Sequence, residues 1–156
     1  MQDLEFSFHP SQRELFRSGK LISEWAKKYP QLFDEHDVRI THNQPHYHFF
    51  EWLGAILLYK SLGYLSLIEK YETPKHTKKI ETIKSTIPQK VINYIFENRA
   101  GLPDLFVYSP DKQDWFFCEV KGLGDRLQRN QIRVIGKLEE VTGKAVKILK
   151  FREFKT

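Results

Sequence analysis

The sequence predicts an α/β domain with a mixed central sheet flanked by helices. Three observations predict it. The chain has 156 residues, 40% of them hydrophobic and 14% aromatic, enough for one full core. Stretches of helical apolar spacing alternate with short β-type runs. Residues 101–151 read in order as strand, turn, strand, helix and strand.

Taken from the start, Leu15-Phe16, Leu21-Ile22 and Trp25-Ala26 recur at helical spacing, so about residues 11–28 read as a helix before Pro30. Residues 1–48 are expected to form an N-terminal helical extension packed on a core made by residues 49–156. Phe49 to Leu62 is almost wholly apolar and reads as a buried helix that stops near Gly63, with Trp52, Leu53, Ile56 and Leu57 in the core. Tyr64 to Tyr71 alternates enough to be a strand. Residues 75–98 are Lys-rich and helical in parts, broken at Pro88. Leu105-Phe106-Val107-Tyr108 and Trp115 to Lys121 are strands joined by the turn residues Ser109-Pro110-Asp111-Lys112-Gln113-Asp114, which makes a hairpin. Arg126 to Val141 has helical spacing and ends at Gly143, and Ala145 to Leu149 is the last strand.

Composition narrows the function. One cysteine, Cys118, excludes an intramolecular disulfide framework and a multi-cysteine zinc site; it reads as packing. The longest apolar run, Leu53 to Tyr59, is far short of the ~20 residues of a membrane helix. The acidic start, Met1-Gln2-Asp3-Leu4-Glu5, carries no signal-peptide-like segment, so a cytoplasmic protein without a membrane partner is expected. The net charge of +5 is uneven. Residues 1–73 carry 8 basic and 10 acidic groups, and residues 74–156 carry 17 and 10. A basic half suits a polyanion such as nucleic acid, though ordinary solubility charge gives the same count.

The hairpin carries the chemistry. Paired about its middle, it sets residues whose numbers sum to 223 opposite one another, and Asp104 and Glu119 are such a pair. Lys121 projects from the same face two residues on. Phe106, Tyr108 and Phe117 share that face, while Leu105, Val107, Phe116, Cys118 and Val120 occupy the other. Two carboxyls this close repel unless one is protonated or a cation lies between them. Mg²⁺, a hard ion that takes carboxylates, waters and phosphate oxygens, fits. The plain alternative is a solvated salt-bridge face with Asp104 as a turn residue.

These residues resemble a known motif. Pro103-Asp104 followed by Glu119-Val120-Lys121 is similar to the PD-(D/E)xK nuclease motif. Gly101-Leu102-Pro103-Asp104-Leu105, then Gly122, Gly124-Asp125-Arg126-Leu127 and Gln131, resembles the VRR-NUC branch of that superfamily. The resemblance implies a restriction-endonuclease-like core over residues 49–156 and a phosphodiesterase acting on DNA with Mg²⁺ or Mn²⁺. It implies that Asp104, Glu119 and the Val120 carbonyl ligate the metal and that Lys121 is the catalytic lysine. It also implies a glutamate from an N-terminal helix, for which Glu51 is the candidate, with Glu69, Glu72 and Glu97 as rivals. Small stand-alone relatives imply homodimers acting on branched DNA, a four-way junction or a flap. A restriction or defence endonuclease and a silent DNA-binding module are the alternatives.

The helix after the motif adds two features. Asp125 is a good helix N-cap with Gln128 as its partner, besides belonging to the family signature. Leu127, Gln131, Val134 and Leu138 form one stripe, so Gln131 should face the sheet near Lys121, where its amide could position the lysine or a water. Arg126, Arg129, Arg133 and Lys137 form a second stripe, either a phosphate-tracking ridge or a solvated helix face. Lys75, Lys78, Lys79 and Lys84 could add a further contact. His42, His46 and His48 precede Glu51; a zinc site there would need them to converge with a fourth ligand or water, and no cysteine partner is available.

Overall fold

A computed structural model of the protein describes residues 1–154. Among them lie five strands and seven helices. In chain order these are β1 (Gln2–Phe8), α1 (Pro10–Arg17), α2 (Lys20–Lys28), α3 (Glu35–Asn43), α4 (Phe49–Leu62), β2 (Leu65–Leu67), α5 (Thr77–Thr86), α6 (Gln89–Glu97), β3 (Leu105–Tyr108), β4 (Trp115–Lys121), α7 (Arg129–Thr142) and β5 (Lys147–Glu153). The sheet order is β1-β5-β4-β3-β2. β2, β3 and β4 are antiparallel neighbours, while β5 runs parallel to both β4 and β1. Parallel neighbours need a crossover, and α7 makes the one from β4 to β5.

The hairpin register is the one the sequence implies: Leu105 faces Cys118 and Phe106 faces Phe117, pairs that each sum to 223. β4 is the central strand, and its six residues from Trp115 to Val120 are all buried. Both faces of the sheet are covered, so β4 reads as one apolar run rather than an alternation. Leu105, Val107, Phe116, Cys118 and Val120 pack with α1, α2 and α4 on one side. Phe106, Trp115, Phe117 and Ile148 pack with α5, α6 and α7 on the other. α4 is apolar around its whole circumference because it lies inside, against β2, β4 and α1. It crosses the sheet closely at Gly54, where a Cβ would come 2.8 Å from Leu149.

Five readings of the sequence are corrected here. Residues 1–48 hold three helices, but they also hold β1, a strand of the main sheet whose alternation of charged and apolar residues is that of an edge. The helix expected over residues 11–28 is two helices, broken at Gly19, whose φ of 87° no helix accommodates. The strand expected to reach Tyr71 ends at Leu67, because Glu69 and Lys70 both turn into the left-handed region. The last helix starts at Arg129 with Gln128 as N-cap, not at Asp125, which lies in the preceding loop after the left-handed Gly124. Lys79 is also no surface contact: it is 4% exposed.

Candidate active site

Asp104 stands just before β3, opposite Glu119 of β4. Its Oδ2 accepts the Val120 backbone N–H at 2.9 Å, which fixes the carboxyl against the strand. The preceding residue is held from behind, since the buried Tyr71 hydroxyl donates to the Pro103 carbonyl at 2.8 Å. Glu119 is 2% exposed. Burial pushes its carboxyl up to about 9, and the hydrogen bond and charge of Asp104 add to this, while Lys121 opposes it. The protein thus keeps a proton on Glu119 near neutral pH, chiefly because the carboxyl is buried and then because Asp104 stands beside it.

Gln131 joins the acid to the lysine. Its Nε2 donates to Glu119 Oε2 at 3.1 Å, and its Oε1 accepts from Lys121 Nζ at 3.0 Å. The same Oε1 accepts the Gln128 backbone N–H at 2.9 Å, so the residue is anchored in the cap of α7. The amide cannot rotate without breaking all three bonds, and its orientation assigns donor and acceptor ends without ambiguity.

Glu51, in the first turn of α4, lies in a cavity of about 280 Å³ whose wall includes Asp104, Pro103, His48 and Glu69. One ligand atom from each of His48, Glu51 and Glu69 falls within 4.8 Å of the others. His48 Nδ1 lies 2.6 Å from Glu69 Oε1 and 3.5 Å from Glu51 Oε2. Burial raises the Glu51 carboxyl to about 7; His48 opposes, and Asp104 and Glu69 reinforce it. Burial alone would lower His48, but its hydrogen bonds to Glu51 and Glu69 outweigh this and hold it at about 9. The loop bearing Glu69 is fixed by Lys79, which donates to the carbonyls of Ile68 (2.5 Å) and Glu69 (3.2 Å) and to Asp37 Oδ1 (2.6 Å).

The structure thus brings Asp104, Glu119, Lys121 and Gln131 together and sets Glu51 in a cavity with Asp104. Val120 lies between Glu119 and Lys121 in β4. Arg129, Arg133 and Lys137 are exposed along α7 at intervals of four. Arg126 is not on that ridge. It lies before the helix and lines a separate cavity with Lys121, Asp125, Asp3 and Lys150. The Asp125 carboxylate caps no helix but accepts the Gly122 N–H at 3.2 Å, shaping the loop. Sequence reasoning missed His48 as a partner of Glu51, although their spacing of three on a helix start is a signal. It named Glu69 only as a rival to Glu51, and nothing in the sequence marks the turn that brings it in.

The donor set suits a hard divalent cation. Where Glu119 now needs a proton, a cation would neutralise both carboxyls at once, and the acidic groups gathered here, Asp104, Glu119 and Glu51, offer carboxylate oxygens. Among the described residues no helix is long and apolar enough to cross a membrane.

The family profile of the VRR-NUC domain matches residues 51–149. A Fanconi-associated nuclease 1 homolog from Pseudomonas aeruginosa is 49% identical over 45 residues, 29% of this chain and 8% of that protein. A crystal structure of paFAN1 bound to 2-nucleotide 5′-flap DNA with a gap superimposes with a TM-score of 0.49 and 19% identity, covering 100% of this chain and 38% of that one. A second, bound to 1-nucleotide 5′-flap DNA with a gap, gives 0.43 and 22%, covering 91% and 26%. This chain spans only a small part of the length of these relatives.

Proposed function

From the premise that the chain belongs to the VRR-NUC domain family, we propose that it is a metal-dependent DNA nuclease that hydrolyses phosphodiester bonds, structure-selective for branched DNA. One observation carries the reading: the buried Glu119, crowded by Asp104, is tied through Gln131 to Lys121. A surface salt bridge needs no such arrangement, and a DNA-binding module gains nothing from burying two acids.

Asp104, Glu119, the Val120 carbonyl and Glu51 would hold Mg²⁺ or Mn²⁺. The bound ion supplies Lewis acidity toward a phosphoryl oxygen and lowers the pKa of a bound water. The remaining work falls to the chain itself. Glu119 gives up its proton on loading, so occupancy rises with pH. Lys121, held by Gln131 Oε1, aims its ammonium at the attacking water and at charge developing on the phosphorus. In-line attack leaves a 5′-phosphate and a 3′-hydroxyl. Arg129, Arg133 and Lys137 meet the DNA backbone without reading bases. The proposal extends to a homodimer in the cytoplasm.

The test is cleavage of linear, 5′-flapped and four-way DNA of matched sequence with Mg²⁺. Faster cutting of a branched substrate than of the linear duplex supports the reading, with loss in Asp104→Ala and Lys121→Ala. Equal cutting of all three removes the structure selectivity. Binding without cutting of any substrate removes the nuclease.

A further inference from the structure

A groove leads away from the nuclease cavity along α3, through three cavities that share walls. The nuclease cavity shares Glu69 and Lys70 with a second one, also of about 280 Å³. The second has the exposed amides of Asn43 and Gln44 on its wall and shares His36 with a third, of about 460 Å³, which lies between α3 and the start of α5. His36 and His76 tie the two helices together there, with their Nε2 atoms 3.2 Å apart. Gln44 and His36 stand at opposite ends of α3, roughly 12 Å apart along its axis.

The far cavity is cationic. Arg39, Lys75, Lys78 and Lys79 line it, with Asp34 as the one carboxylate on its wall. Lys79 is committed to Asp37 at 2.6 Å. Arg39, Lys75 and Lys78 are exposed and, among the described residues, pair with no carboxylate. No side chain caps α5 and its first turn holds no acid, so N–H groups at its start border the same cavity. Three unpaired cations and a helix N-terminus in one concavity suit phosphate. A duplex carries its phosphates on a convex cylinder and cannot enter cavities of this size, whereas a single strand can thread them. The rim carries a second, independent observation. Tyr47 is 77% exposed, more than any other large hydrophobic residue among those described. Its backbone N–H donates to the Gln44 carbonyl at 3.1 Å, and it directly precedes His48 of the nuclease cavity. It therefore stands where the middle cavity meets the nuclease cavity, as a platform on which an unpaired base can stack.

We propose that this groove grips the single-stranded arm of a flapped DNA, with Arg39, Lys75 and Lys78 on its phosphates and Tyr47 stacked on a base beside the nuclease cavity. The inference rests on the nuclease reading above and deepens it, because it names what tells a branched substrate from a linear one. A linear duplex has no arm to place in the groove, so it forgoes these contacts. A flapped one gains them and is held with its branch point next to Asp104. The phosphate contacts do not read sequence, and the stack accepts any base.

The test measures binding by fluorescence anisotropy in EDTA, using a duplex with an oligo(dT) flap and the same duplex without it, and circular dichroism to check that each variant is folded. Wild type should bind the flapped DNA at least about tenfold more tightly. The triple variant Arg39→Ala, Lys75→Ala, Lys78→Ala should lose that advantage, and its slope of log affinity against log salt on flapped DNA should be shallower by about 2. Tyr47→Ala should weaken flap binding about tenfold, and Tyr47→Phe, which keeps the ring, should restore it. No flap advantage in wild type, or an advantage that survives in either the triple variant or Tyr47→Ala, overturns the proposal. Cleavage is scored separately in Mg²⁺. A protein that shows these binding effects and cuts nothing keeps the groove and loses the nuclease.

Discussion

Replacing Glu119 by glutamine should make the metal-free protein more stable while ending its capacity to cut DNA. Glutamine copies the protonated acid: it can donate to Asp104 as the neutral carboxyl does, and its oxygen can still accept from Gln131 Nε2. Its effect follows from linkage. The Glu119 carboxyl is raised from 4.5 to about 9 in the fold, so below pH 4.5 it is protonated in both folded and unfolded chains and imposes no cost. As pH rises above 4.5 the unfolded chain releases this proton and the folded chain does not, so wild-type stability falls with pH. At pH 7 the gap is about 2.5 pH units, worth about 3 kcal/mol. For a chain of this size that is about 6–12 °C in Tm. The assay is thermal unfolding followed by circular dichroism from pH 5 to 8 in EDTA, with Glu119→Gln beside wild type. The variant should be the more stable, with a gap that widens with pH. Mn²⁺ should raise the wild-type Tm by mass action and leave the variant little changed. A variant no more stable than wild type, or a gap that is flat across this range, would refute the raising of the Glu119 carboxyl by burial and by Asp104.

Three further outcomes follow from the same geometry. Gln131→Ala frees Lys121 and Glu119 from each other and should lower kcat about tenfold to a hundredfold with DNA affinity preserved, measured in single-turnover cleavage and by anisotropy. Arg129→Ala should weaken DNA binding equally for all sequences and reduce the slope of log affinity against log salt by about 1, read from anisotropy at several salt concentrations. Lys79→Met deprives Asp37, at 2% exposure, of its cation and drives it to take up a proton, and should cost about 3–5 kcal/mol at pH 7 in urea unfolding. Burial already raises Asp37 to about 6 against the pull of Lys79, so its ionisation works against the fold as pH rises. The loss should therefore shrink at pH 5, where Asp37 is protonated in the fold.

The sheet's centre was legible because period-two alternation is a local property. Assigning Phe106 and Phe117 to one face and Val107 and Phe116 to the other needed only the turn residues of the hairpin, and the two cores divide along that line. Gln131 was legible for a similar reason: one amide in an apolar helical stripe must face the sheet, and here it reaches both Glu119 and Lys121. What stayed hidden depends on contacts between distant segments. β1 is an edge strand whose partner, β5, lies at the opposite end of the chain, so no local pattern announces the pairing. The loop at Glu69 and Lys70 adopts two successive positive φ angles without a glycine, a conformation imposed by Lys79 from a later helix. Arg126 fitted the basic stripe by number alone. The helix starts three residues later because Gln128, bonded to Gln131, is its cap.

The most direct test of the central claim is cleavage of a 5′-flapped or four-way DNA by wild type, Asp104→Asn and Glu119→Gln, each in Mg²⁺, Mn²⁺ or EDTA, with the product ends identified. Two acids gripping one divalent ion predict nicks bearing 5′-phosphate and 3′-hydroxyl only for wild type and only with metal. Cutting that persists in EDTA, or that survives either substitution at the wild-type rate, would contradict it.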